Sequence, residues 1–482
     1  MAGDAEEYRF GGCEYIRPER RGHAMGASAV GGGTAEVAVE SAEPLRPEHD
    51  PFYRPPRGLS RRAPGAVLRS RAVELALLGV LPQRIAAWQL LYRSTDLHGR
   101  PEAAVTTVLL PWGADPAQAR PVVSYQCAID AVASNCLPSY AFRRGARALG
   151  ALPQLELLLV AHALTRDWAI SVPDHIGTAG HFGTPREPGY RALDGLRATL
   201  AFLGHPVDAP VALSGYSGGG LATVWAAEMA ATYAPELNIL AAAAGSPVGD
   251  LESTFFRLND ARFGFGGLAT LCLAGLRRAY PPLHASLAER LDPTSLELLD
   301  RAERSTTIPL VLRASRARLQ DLEGGALAAL RTLPQVRAVL TDIQPGDNPP
   351  DFPVLTVQGV HDLVIPVGNV DRLVDRYRAA GTPVRYIRDL LGDHVGLGLL
   401  AAPLVENWLA ARFAGKPLDR TTTDTVLSIA ASRQAATGYL RLGALLLRAL
   451  TVRPIGGHAE PESPRRHDGA VHGSLRDASA DR

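Results

Sequence analysis

Through the middle of the chain, short runs of aliphatic and β-branched residues alternate with longer segments whose apolar positions recur at helical spacing. Val105–Leu110, Val122–Tyr125, Ala169–Val172, Val211–Leu213, Val354–Val357 and Val384–Ile387 read as strands. Residues 188–203, 219–234 and 394–413 read as helices. Strands separated by helices predict an α/β fold: a mostly parallel sheet with helices on both faces. In such a sheet, chemistry gathers at the carboxyl ends of the strands.

The alternation breaks once. After a strand over Leu237–Ala243, residues 246–345 carry little strand signal and a helical pattern, with an apolar stretch over Phe263–Leu276. These helices either form a cap (a lid) over the site or add to the core, and periodicity alone does not separate the two. As a lid, the segment is expected to turn Ala269 and Gly275 toward an acyl tunnel. Residues 1–49 mix Gly, Ala, Glu and Arg without periodicity and read as a disordered lead. The run Asp50-Pro51-Phe52-Tyr53-Arg54-Pro55-Pro56 opens the folded part, and 453–482 read as a solvated tail. The expected organisation is a core in two parts, 50–245 and 346–452, interrupted by the 246–345 insertion.

Composition adds exclusions. At 482 residues with 46% hydrophobic content, a large core is available, and a formal charge of +1 gives no electrostatic reason to expect a nucleic-acid partner. The four cysteines, Cys13, Cys127, Cys136 and Cys272, are too few for a disulfide scaffold and lack metal spacing. Cys136 and Cys272 could pair in an oxidising compartment, or all could be buried thiols. No run reaches the roughly 18 apolar residues of a membrane span, so no transmembrane anchor is expected. Met1–Phe10 carries three acids and no apolar run follows, which does not fit a signal peptide. The expectation is a protein that is not exported by the usual route, or a natural start elsewhere.

The chemistry sits in Val211-Ala212-Leu213-Ser214-Gly215-Tyr216-Ser217-Gly218-Gly219-Gly220. A strand runs into Gly-x-Ser-x-Gly and a helix follows at once, the arrangement of a nucleophile elbow. Gly215 and Gly219 avoid a Cβ clash in the tight turn, Gly218 admits close approach to a ligand, and the helix N-terminus favours negative charge. A serine hydroxyl needs an imidazole to take its proton and a carboxylate to orient that imidazole. In α/β-hydrolases the order along the chain is serine, acid, histidine. Asp362 lies just past the strand Val354–Val357, and His394 lies on the loop after Val384–Ile387, one strand–helix unit later. His361 precedes the final strand and breaks that order. Asp389 and Asp393 lie too close in sequence to His394, and Asp393 is better placed to cap the following helix. His175 and His181 could line a pocket but read as surface residues by default.

The chain resembles the secretory lipase family, the lipase A-like α/β-hydrolases, over roughly residues 50–450. The likeness rests on Asp50-Pro51-Phe52-Tyr53, Ser124-Tyr125-Gln126 with Asp130, Asn135-Cys136-Leu137-Pro138-Ser139, Val172-Pro173-Asp174, the serine motif, Gly359-Val360-His361-Asp362 and Gly392-Asp393-His394, in that order. The resemblance implies an α/β-hydrolase fold with a helical lid, and lipase or esterase chemistry with Ser217 as nucleophile, Asp362 as orienting acid and His394 as base. It also implies an oxyanion hole made by Asp130 and the Gly218 N–H. Family members are typically secreted, which sets the resemblance against the acidic start of this chain.

The expected activity is hydrolysis of carboxylic esters of medium or long acyl chains through an acyl-enzyme, with no metal or organic cofactor. Each CH₂ buried adds about 0.8 kcal/mol, so an apolar cap is expected to set chain-length preference. Expected partners are an ester or lipid substrate and, transiently, a lipid interface. Acyl transfer to another acceptor uses the same residues. A silent relative acting as a scaffold or ligand-binding protein has no need to keep all three.

Overall fold

The computed structural model describes residues 8–10, 13–15, 43–260, 264–314, 331–417, 421–431 and 433–456. Its aliphatic runs pair into one ten-stranded sheet. In chain order these strands are β1 (Val67–Ala72), β2 (Ala86–Thr95), β3 (Pro101–Leu110), β4 (Val122–Gln126) and β5 (Ala169–Pro173). Then follow β6 (Val211–Tyr216), β7 (Ile239–Gly245), β8 (Val354–Gly359), β9 (Val384–Asp389) and β10 (Thr422–Val426). Across the sheet the order is β10-β9-β8-β7-β6-β4-β5-β3-β2-β1. From β10 to β5 every pairing is parallel; β3, β2 and β1 extend the sheet antiparallel. The mostly parallel sheet read from the sequence is therefore present, with an antiparallel wing.

Central strands are buried along their length because helices cover both faces. β8 is buried at every position, and β6 at all but Tyr216. The covering helices include α1 (Leu152–Leu164), α2 (Glu187–Leu203) and α3 (Gly218–Tyr233). Between β7 and β8 lie α4 (Leu251–Asn259), α5 (Gly266–Ala279), α6 (Pro281–Arg290), α7 (Pro293–Ala302), α8 (Thr307–Ala314) and α9 (Pro334–Asp342). The last three are α10 (Val367–Ala379), α11 (His394–Phe413) and α12 (Arg433–Leu450). α10 shows why such segments are helical: Val370, Leu373, Val374 and Tyr377 form one buried face, while Arg372, Asp375 and Arg378 lie on the other side.

The described part of the insertion is helical, as its sequence reads, but much of it is not peripheral. Ala269, Leu271 and Ala274 of α5 are buried in one apolar cluster with Val224 of α3 and Val370 of α10. Gly275 abuts the Phe182 backbone, where a Cβ would overlap it. Neither Ala269 nor Gly275 lines a tunnel, which corrects that expectation.

The ends also differ from the reading. Tyr8–Phe10 pairs antiparallel with Cys13–Tyr15 inside the segment read as a disordered lead. Residues 43–49, read as part of that lead, are packed: Pro44 and Pro47 are buried, and Glu48 accepts a hydrogen bond from Ser134. Asp50 caps the turn Pro51–Tyr53 through the Phe52 N–H (2.9 Å) and pairs with Arg71 (2.7 Å). At the other end, Ile455 is buried and stitched into the antiparallel wing, its N–H on the Arg84 carbonyl and its carbonyl on the Trp112 N–H, each 3.0 Å. The remainder of the expected lead and tail, 1–7, 11–12, 16–42 and 457–482, lies outside the described residues. Cys127, Cys136 and Cys272 are buried free thiols, so Cys136 and Cys272 do not pair. Among the described residues no helix is long and apolar enough to cross a membrane.

Candidate active site

β6 ends where the chain must reverse into α3, and Ser217 takes that corner with φ 56° and ψ −120°. Few L residues hold this conformation unless the surroundings impose it. They do so here: the Ser217 N–H donates to the Gly245 carbonyl at 2.9 Å, and backbone crowds both flanks. A Cβ at Gly215 would overlap the Gly219 carbonyl, and one at Gly219 the Gln126 carbonyl. Gly218 opens α3, whose first-turn N–H groups have no partner within the helix.

Two neighbouring loops bring the other predicted residues to Ser217. His394 is the first residue of α11, whose cap is Asp393; that carboxylate accepts the Val395 and Gly396 N–H groups, each at 2.9 Å. His394 Nε2 lies 2.8 Å from Ser217 Oγ, and Nδ1 lies 2.7 Å from Asp362 Oδ2. A carboxylate only accepts, so Nδ1 carries the proton and Nε2 is free to accept from the serine hydroxyl. Asp362 is buried on the loop after β8 and fixed by the N–H groups of Val364 (2.8 Å) and Ile365 (2.9 Å) on its other oxygen. Serine, imidazole and carboxylate thus form one continuous hydrogen-bonded chain.

Tyr216, only the variable residue of the serine motif in sequence terms, supports this chain. Its hydroxyl donates to the His394 carbonyl (2.7 Å) and accepts from Ser246 Oγ (2.9 Å). Asp130 lies on the loop after β4, with φ 40° and its carboxyl directly against Gly218. Its Oδ1 is buried and has no hydrogen-bond partner among the described residues. Burial pushes the Asp130 carboxyl up to about 6, against the pull of His394 and a backbone hydrogen bond.

The rival residues have other occupations. His361 is exposed. Asp389 is buried and shapes the approach to His394, accepting from the N–H groups of Leu391 (2.9 Å), Gly392 (2.6 Å) and Ile429 (2.6 Å). His175 is not a surface residue: it is buried, its Nε2 meets the Cys127 carbonyl at 2.7 Å, and burial pushes it down to about 4. His181 is half-buried against Glu187 (2.9 Å). Neither histidine is among the residues lining the cleft.

Ser217, His394 and Asp130 line a cleft of about 680 Å³ with predominantly apolar walls. α1 contributes Leu152, Leu155 and Leu159, and the insertion contributes Leu268, Ile308 and Val311. α11 adds Val395 and Leu399, and α12 adds Leu442 and Leu446. α12 was not foreseen, although Leu442, Leu445, Leu446 and Ala449 repeat at helical spacing. Nor was Glu156 of α1, a carboxyl in this apolar wall that accepts the Ala128 N–H (3.0 Å) and is pushed up to about 8 by burial.

With this geometry in hand, comparison with known proteins gives concordant matches. The family model described as secretory lipase matches residues 142–421. A protein of Mycobacterium tuberculosis named a probable inactive lipase is 45% identical over 446 residues, spanning 91% of this chain and 99% of that one. Lipase A of Arthroderma benhamiae is 36% identical over 392 residues, 78% of this chain and 82% of that one. Among solved structures, Candida antarctica lipase A in its closed state superposes with a TM-score of 0.73 at 26% identity, covering 86% of this chain and all of that one.

Proposed function

The chain belongs to the secretory lipase family and has its α/β-hydrolase fold, and from that premise we propose that it hydrolyses carboxylic esters through a serine-linked acyl intermediate. One observation carries the proposal: Ser217 Oγ stands 2.8 Å from an imidazole that is itself 2.7 Å from a buried carboxylate, and both serine and imidazole line an apolar cleft.

In this reading His394 Nε2 takes the proton from Ser217 as Oγ attacks the ester carbonyl carbon. The negative charge that develops on the carbonyl oxygen meets the Gly218 N–H and the Asp130 carboxyl. An ionised Asp130 would repel that charge, so the side chain helps only as a protonated donor, and its raised pKa makes that form accessible. Collapse expels the alcohol, which takes the proton from His394. Water then attacks the acyl-serine with His394 again as base, releasing the acid and restoring Ser217. Leucines of α1, α5 and α12, with Ile308 and Val311 of α8, would hold the acyl chain, at about 0.8 kcal/mol per CH₂ removed from water. The insertion then acts as one wall of an acyl site, in the role of a lid.

The test is covalent labelling with a fluorophosphonate. The expected result is a single adduct at Ser217, lost in Ser217→Ala, together with turnover of p-nitrophenyl laurate. A second reading, a silent relative that binds lipid without turning it over, is favoured by the name of the 45% identical relative. It predicts no adduct and no turnover while a fatty acid still binds.

A further inference from the structure

The segment Cys127–Asp130 carries the candidate oxyanion donor in a conformation that does not hold itself. Asp130 has a positive φ of 40°, and its buried Oδ1 has no hydrogen-bond partner among the described residues. The direction of its carboxyl is therefore set by its backbone. Two groups of the core pin the first half of the segment: His175 on the Cys127 carbonyl (2.7 Å) and Glu156 on the Ala128 N–H (3.0 Å). The second half is pinned from elsewhere. Thr307, the buried first residue of α8, shares its hydroxyl hydrogen between the carbonyls of Asp130 (3.0 Å) and Ile129 (3.3 Å). Thr307 is itself fixed by its neighbours: the Ile308 N–H donates to the Gly150 carbonyl (3.0 Å), and Thr306 Oγ1 to the Leu149 carbonyl (2.9 Å).

We propose that Thr307 is a positioning residue, by which the helical insertion sets the backbone angle of Asp130 and so the aim of its carboxyl at the Ser217 site. The inference rests on the oxyanion reading of Asp130 given above. A single hydroxyl crossing from α8 to the strained residue makes the geometry of the charge-stabilising group depend on where the insertion sits. A displaced donor stabilises the transition state less while leaving ground-state binding in the leucine-lined cleft intact. The signature is thus a loss in kcat with little change in KM.

The experiment is steady-state kinetics and thermal melting of Thr307→Val, Thr307→Ala, Thr307→Ser, Asp130→Ala and the double variant Thr307→Val/Asp130→Ala, on p-nitrophenyl acetate and laurate. The expected result is a fall in kcat of about tenfold to a hundredfold for Thr307→Val on both esters, with KM near the parent value. Thr307→Ser, which keeps the hydroxyl, is expected to recover most of the loss, and the double variant to be no slower than Asp130→Ala alone. Should Thr307→Val fail to fold, Thr307→Ala supplies the same comparison. Losses that add in the double variant, or a Thr307→Ser as slow as Thr307→Val, overturn the proposal while leaving Asp130 in its role. An Asp130→Ala with parental kcat removes the Asp130 carboxyl as an oxyanion donor, and this inference, which concerns the aim of that carboxyl, with it.

Discussion

Ser217 occupies a backbone region that costs an L residue about 1–3 kcal/mol, and an alanine there would adopt it no less easily than the serine does. Ser217→Ala should therefore fold normally, and its kinetics report chemistry. Ser217→Ala and His394→Ala are each expected to lower kcat about 10⁶-fold and Asp362→Asn about 10⁴-fold, with the double variants no worse than the worst single one. His361→Ala should be nearly silent, because that side chain is exposed. Asp130 makes a pH prediction whose sign is fixed. Burial raises its carboxyl from 3.8 to about 6, so the protonated donor predominates below pH 6 and thins about tenfold per unit above it. A descending limb in kcat from near pH 6 is expected, and Asp130→Asn, which donates at every pH, should flatten it. Asp130→Ala should cost about 10²–10³ in kcat; tolerance of alanine would leave the backbone N–H as the only donor. Ser217, Asp362 and His394 were legible because each follows a recognisable strand in a fixed order. Thr307 was not: nothing local marks a threonine whose partner, Asp130, lies 177 positions away.

Helix α5 shows what periodicity leaves undecided. Its small and aliphatic residues suited a cap and a core equally well, and the fold turned Ala269 and Gly275 inward, leaving Phe265 and Leu268 at the cleft. Ala269→Leu or Gly275→Ala should overpack that interior, costing about 1–3 kcal/mol. The check is an equal loss of acetate and laurate turnover with a lowered melting temperature. By contrast, Val311→Trp on α8 intrudes on the cleft itself. It should depress laurate turnover well below acetate turnover at little change in melting temperature, shortening the preferred chain. β2 is missing from the strands read in the sequence, although its Trp88, Leu90, Leu91 and Tyr92, buried on both faces of the sheet, carried an apolar signal. β10 carried almost none: Thr422–Val426 is polar, mostly exposed, and a strand chiefly because β9 offers it a free edge. Pairing of that kind is a long-range property, and the local residues do not announce it.

Taken together, the buried acids give the protein a predictable response to pH. Burial raises Glu156 to about 8, and Asp174 and Glu228 each to about 7. All three exceed the unfolded values of 3.8 to 4.5, so the folded chain keeps protons that the unfolded chain has released. Their stabilising share is complete below those unfolded values and is lost as pH rises through 7 to 8. His175, lowered from 6.5 to about 4, works in the opposite sense but only between those two values. The melting temperature should thus fall from pH 6.5 to 8.5, and Glu156→Gln should make the fall shallower. The stitching of Ile455 to Arg84 and Trp112, just beyond the helix that walls the cleft, bears on how the protein is made. Ribosomes deliver about 5–20 residues per second, amino end first. Ser217, Asp362 and His394 have therefore all been synthesised before Arg433–Leu450 arrives to close their groove. A released chain ending at Ala431 should present a leucine wall that stands open along one side. It should bind an apolar dye or a chaperone that the chain carried through to Ile455, with that residue in its seat, does not.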